Sequence, residues 1–264
     1  MSATRPPSGA SDAPVVLLIA DGDMGWCVAN AFAQRFQNLV VIAEQPEAKG
    51  AIVKRRARLL GWVPALGQAA GGVLHKVVAR LSRSRIAALR KAHGLDSHRP
   101  STVQVHDLES INSEACRALL ASLQPSVVAV YGTRIIRRAT LASVGAPFVN
   151  YHAGINPKYR GQHPAYWALV ANDAEHAGIT IHVVDEGVDT GGVLVQAPVA
   201  FERGDNITTY QWRQMTVALP LFLDVIDDAR KGQLVTKTVD LPSQQHFPPT
   251  LWAYLWYGVT RRVW

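Results

Sequence analysis

The first apolar block, Val15–Ala20, has no polar residue in six, and a second block returns at 38–43. Between them lies Asp21-Gly22-Asp23-Met24-Gly25, followed by a helix-like stretch from Trp26 to Phe36. Continuous apolar runs of this length, bounded by turn residues, predict strands buried on both faces. Five further strands are predicted at 102–105, 127–131, 148–152, 179–184 and 193–199, with helix-like segments between them. Strands alternating with helices imply an α/β fold, an open twisted and mostly parallel sheet of about seven strands in a Rossmann-like arrangement. The three-glycine dinucleotide fingerprint is missing from the first turn, which weakens a dinucleotide-binding reading.

Two segments depart from that alternation. Residues 49–91 contain eleven Lys or Arg and no Asp or Glu, while the whole chain is formally +7, so the rest of the chain is net negative. Leu59, Leu60, Trp62, Val63 and Leu66, then Val73, Leu74, Val77, Val78 and Leu81, recur at near-helical spacing. They predict two or three amphipathic helices, a basic insertion spanning 46–100 within a domain at 14–235. The insertion suits a solvated face, attraction of an acidic acceptor, or contact with an anionic membrane. The second departure is an aromatic appendage at 236–264, rich in Trp and Tyr from Phe247 onward. It suits a helix docked on its own core, a homodimer interface, or stacking on a base.

Composition narrows the class. A chain of 264 residues, 48% of them hydrophobic, can bury one substantial core. Residues 1–13, rich in Ser, Ala and Pro, are expected to form a disordered tail rather than a signal peptide. Cys27 and Cys116 are far apart in apolar stretches, which favours a reducing compartment, and no apolar run approaches a membrane span. A cytoplasmic location is expected.

Asn150-Tyr151-His152 ends one predicted strand, and Asp189 follows thirty-seven residues after His152 within Asp185-Glu186-Gly187-Val188-Asp189-Thr190-Gly191-Gly192. Asn150 and His152 are two apart, so they leave one face of the strand at the carboxyl end, where open parallel sheets bind ligands. An amide, an imidazole and a carboxylate without an adjacent Ser or Cys nucleophile suit direct attack on a carbonyl, with charge developing on oxygen. The prolines and glycine of residues 156–164 predict an irregular loop able to wall off that site. Asp-Thr-Gly also occurs in aspartic proteases, but here it lacks a second copy. His106, His163 and His176 lack ligand-like partners in sequence, and no metal is expected.

Asn-x-His, Pro-Lys-Tyr-Arg-Gly and Asp-x-Gly-x-Asp-Thr-Gly, in this order and spacing over roughly residues 127–200, resemble the formyltransferases that use 10-formyltetrahydrofolate. The resemblance implies 10-formyltetrahydrofolate as formyl donor, without metal, and Asn150, His152 and Asp189 as the catalytic triad. It implies pterin contacts from the main chain of Tyr131, Thr133, Arg134, Ile135 and Ile136 and from the loop of Asp185, Glu186, Gly187 and Val188, whose glycines allow close backbone approach. Tyr159, Arg160, Gly161 and His182 are expected on the substrate side; His182 alternates with Ile181 and Val183, so it suits a half-buried strand position equally well.

The acceptor expected from the resemblance is a nucleotide-diphosphate amino sugar for bacterial surface polysaccharide (O-antigen) synthesis. Methionyl-tRNA formyltransferases normally carry an added C-terminal barrel, and the residues after Val199 are too few for one, so no stable nucleic-acid partner is expected. Alternatives are a methionyl-tRNA or glycinamide ribonucleotide formyltransferase, or a hydrolase releasing formate with the same triad.

Overall fold

A computed structural model describes residues 13–264. All but the last residue of the expected tail, 1–13, therefore lies outside the described residues. The seven expected strands form one sheet: β1 (Val15–Ala20), β2 (Leu39–Glu44), β3 (Gln104–Leu108), β4 (Val127–Tyr131), β5 (Phe148–His152), β7 (Gly178–Val183) and β8 (Val193–Pro198), in the order β3-β2-β1-β4-β5-β7-β8. Strands β1 to β5 pair in parallel, whereas β7 runs antiparallel to both β5 and β8. The third strand starts later than its apolar residues suggest, because Gln104 to Leu108 pair with Val40 to Glu44.

The uninterrupted apolar run of β1 serves two cores at once. Val15, Leu17 and Ile19 face one cluster with α1 (Asp23–Arg35) and α8 (Tyr210–Arg230), while Val16 and Leu18 face another with α5 (Glu114–Leu123). This is the two-residue period of a strand covered on both sides. Cys27 and Cys116 are free and buried, one in each core, and burial pushes both thiols up to about 11.

The basic segment folds as three helices, α2 (Lys49–Leu60), α3 (Trp62–Leu81) and α4 (Arg83–Ala92). Helix α4 joins the main core through Leu89, and Arg85 reaches the fully buried Asp205 carboxylate at 2.7 Å. Arg213, from α8, clamps the same carboxylate. Helix α3 instead packs on α9 (Leu251–Arg261), and their approach is close because Gly67 lies under the Trp252 ring, where a Cβ would sit 2.2 Å from it. The large apolar residues of α3 do not all turn inward as amphipathic packing suggests. Ala65, Gly67, Gln68 and Gly71 are buried, whereas Trp62, Val63, Leu66, Val73 and Val77 are exposed.

The aromatic appendage docks on its own chain. His246 stacks between Tyr159 and Trp167, and Trp167 Nε1 donates to the Phe247 carbonyl at 2.9 Å. A short parallel pair, β6 (Arg160–Gly161) with β9 (Gln245–His246), ties this segment to the loop after β5.

Candidate active site

The site lies at the carboxyl end of β5, beside its antiparallel neighbour β7 and the loop between β7 and β8. Val149 and Tyr151 enter the main core, so Asn150 and His152 fall on the opposite face. Asn150 pairs in register with His182 across β5 and β7. The His182 Nδ1 donates to the Val183 carbonyl at 2.9 Å, which leaves Nε2 to accept the Asn150 amide at 3.0 Å. The β7 histidine is therefore a buried strand residue that holds the Asn150 amide.

His152 is held from both sides. Its Nε2 donates to the Tyr159 carbonyl at 2.9 Å, and its Nδ1 faces Asp189 Oδ2 at 3.4 Å. Asp189 Oδ1 lies 3.6 Å from His182 Nε2, and Oδ2 accepts the Gly161 amide at 3.1 Å. Burial acts to raise the Asp189 carboxyl, but His152, His182 and the Gly161 amide outweigh it and hold it at about 2. Burial lowers His152 against the opposing attraction of Asp189, so the ring favours its neutral form. Asp189 sits at φ 52°, a left-handed conformation costing on the order of 1–3 kcal/mol for a residue with a side chain.

The loop around Asp189 is built from its own contacts. Asp185 accepts from the Gly187 amide at 3.0 Å and from Thr190 Oγ1 at 2.7 Å. Arg160 donates to the Val188 carbonyl at 2.7 Å, and Glu186 pairs with Arg138 at the surface, 3.3 Å away. Gly187, Gly191 and Gly192 pack against Thr190, the Val183 carbonyl and Thr236, so the glycines serve close packing within the protein.

The residues expected to line a pterin are divided between frame and surface. Tyr131 stacks on Tyr151 with centroids 5.3 Å apart, Ile136 is buried in the second core, and Ile135 is exposed. Thr133 bonds the Arg134 carbonyl, and the Ile135 carbonyl accepts from Asn112 at 2.9 Å. The Arg134 amide donates to Glu44 Oε2 at 2.8 Å, and its guanidinium lies 3.3 Å from Glu44 Oε1. Glu44 also takes the Ile111 amide, so this buried carboxylate anchors the loop after β4. Nothing in the local sequence marked Glu44; its position as the last residue of a buried strand was the available signal.

Among the residues expected on the substrate side, Tyr159 holds His152 through its carbonyl while its hydroxyl donates to Asp173 at 2.8 Å. Arg160 also donates to Ser243. His163 is half-buried, lies edge-on to His75 with centroids 5.4 Å apart, and is pushed down to about 3 by desolvation, then by His75 and Arg56. Arg56 donates to Gln162 at 2.8 Å and brings the basic segment to this loop. His176, without evident partners in sequence, gains Asp173 at 2.7 Å because a 3-10 turn juxtaposes residues three apart. The Lys158 ammonium stands 2.6 Å from that carboxylate, so the cluster of Asp173, Glu175 and His176 already holds a cation.

The formyl transferase family model matches residues 77–226. A methionyl-tRNA formyltransferase from Thermodesulfovibrio yellowstonii is 36% identical over 120 residues, covering 45% of this chain and 38% of that protein. The chain spans no more than about half of the curated relatives it matches. Among solved structures, a protein from Mycobacterium tuberculosis described as a likely sugar N-formyltransferase superposes with a TM-score of 0.57 at 17% identity, over 89% of this chain and 75% of that one. WlaRD, a sugar 3N-formyltransferase solved with dTDP and 5-N-formyl-THF, gives 0.53 at 12% identity, over 89% and 69%. These likenesses carry the fold, and the family match spans more than half of the chain. The chain belongs to the formyl transferase family.

Proposed function

We propose that the protein moves a formyl group from 10-formyltetrahydrofolate to the amine of a nucleotide-linked amino sugar. The observation that carries this reading is the arrangement around Asp189: a carboxylate fixed by the Gly161 amide, facing His152 Nδ1 at 3.4 Å and His182 at 3.6 Å, with Asn150 held against His182. The acceptor nitrogen attacks the formyl carbon, and the Asn150 amide stabilises the resulting oxyanion. Asp189, ionised throughout the neutral range, draws the amine proton toward itself and His152 Nδ1. The tetrahedral intermediate then collapses, its C–N bond to the folate breaks, and the leaving nitrogen takes up that proton. Products are the formamide and tetrahydrofolate. Preorganised donors and a positioned proton acceptor each contribute about 100-fold or more.

The loops after β4 and before β8 would hold the pterin. The amide of Arg134 is already given to Glu44, so other main-chain groups of residues 131–136 and 185–188 would make its contacts. On the acceptor side, the half-buried Arg56 beside Gln162 supplies charge for a diphosphate. Methionyl-tRNA is the second reading, favoured by the exposed cations of α2 to α4.

The test combines 10-formyltetrahydrofolate with a panel of nucleotide-diphosphate amino sugars and reads products by mass. A product heavier by one formyl group is expected. Formylation of methionyl-tRNA alone would select the second reading, and formate release without any amine would replace transfer by hydrolysis.

A further inference from the structure

The outer surfaces of α3 and α9 form an apolar ridge that is left exposed among the described residues. On α3 the buried sector holds Ala65, Gln68 and Gly71, while Val63, Leu66, Val73 and Val77 point outward; Val63 is 70% exposed. On α9, Trp252, Leu255, Trp256 and Val259 share one outward face at spacings of three and four, with Trp256 65% and Val259 74% exposed. Trp252 lies over Gly67 at the seam, so the two faces adjoin. Beside Trp252 and Trp256 is an open hollow of about 420 Å³, lined also by Ala253 and Tyr257.

Charge identifies the occupant. At 3.6 residues per turn, Lys76 and Arg80 border the apolar sector of α3, and both are exposed, as are Lys54 and Arg58 on α2. Residues 49–91 and 241–264, which build the ridge and its borders, contain no Asp or Glu. A second copy of this chain would bring like charge against like charge with no opposing group. Tryptophans beside cations, on helices too short or too polar to span a bilayer, match the membrane–water interface.

We propose that the ridge of α3 and α9 docks this protein on an anionic lipid bilayer, its tryptophans at headgroup depth and its cations against lipid phosphates. The inference does not depend on formyl transfer.

Flotation of the full chain with vesicles of phosphatidylcholine, alone or mixed with phosphatidylglycerol, tests it. Binding to the anionic vesicles at least about tenfold tighter, weakened by salt, is expected. Trp256→Glu with Val259→Glu should abolish it. Replacing Lys54, Arg58, Lys76 and Arg80 by Gln should weaken it as strongly, and these exposed positions leave the fold, read by circular dichroism, unchanged. Absence of binding to anionic vesicles would overturn the proposal. So would equal binding to neutral vesicles, or a dimer in sedimentation velocity that Trp256→Glu splits.

Discussion

Gly161 donates its amide to Asp189 at 3.1 Å from a backbone position with φ 90°, pressed against the His246 carbonyl. A Cβ there would sit 2.3 Å from that carbonyl oxygen, so the position excludes any side chain. Gly161→Ala must therefore either part β6 from β9 or withdraw the amide from Asp189. The expected result is a fall in kcat of at least about tenfold, with a stability loss of about 1–3 kcal/mol seen by thermal melting. A variant with wild-type kcat would show that this amide does not set the carboxylate.

Asn150→Ala, His152→Ala and Asp189→Ala should each lower turnover by at least about 100-fold while the protein stays folded. His182→Ala is expected to cost about 10- to 100-fold, mainly in kcat, because it acts by orienting Asn150. Steady-state kinetics on purified variants decide both, and near wild-type turnover in any triad variant removes that residue from the mechanism.

Acid sensitivity should come from buried and half-buried histidines. Burial lowers His75, His152 and His163 below the ordinary value of 6.5, so the unfolded chain binds protons that the folded chain refuses. Their contribution is complete above 6.5 and is lost as pH falls, for His163 down to about 3, at no more than about 1.4 kcal/mol per pH unit for that ring. Asp189, depressed to about 2, favours folding above its ordinary value of 3.8 and loses that effect only as pH falls toward 2. Denaturant melts between pH 7 and pH 5 should show falling stability; a flat profile would mean that these rings titrate freely.

Asp205→Ala removes a buried carboxylate and leaves Arg85 and Arg213 sharing only the exposed Glu202, so a loss of about 1–3 kcal/mol is expected, with α4 loosening first. Hydrogen exchange should show the weakened protection in residues 83–92. Uniform loss across the sheet would contradict a local role.

Much of the sheet was legible because its central strands are buried on both faces. Val15–Ala20 and Val127–Tyr131 carry no competing signal, and their bounds match the strands formed. The reversal at β7 was not, since Gly178–Val183 reads the same in either direction and its course depends on pairing with β5 and β8. In the site, spacing and resemblance brought out Asn150, His152 and Asp189, which do converge. The parts supplied by main chain stayed hidden: the Tyr159 carbonyl and the Gly161 amide have no side-chain signature. Glu44 was equally silent, because its partners arrive from Ile111 and Arg134, far along the chain.

The two-residue pairing of β6 with β9 also orders events during synthesis. The strands carrying Asn150, His152 and His182 and the loop carrying Asp189 leave the ribosome well before Gln245 and His246, which complete the seat of Gly161. Because all seven strands of the sheet and α8 end by Arg230, the residues that build the sheet emerge before the last support of that carboxylate. Competence for proton transfer would then be acquired as a late, separate step after the scaffold has closed.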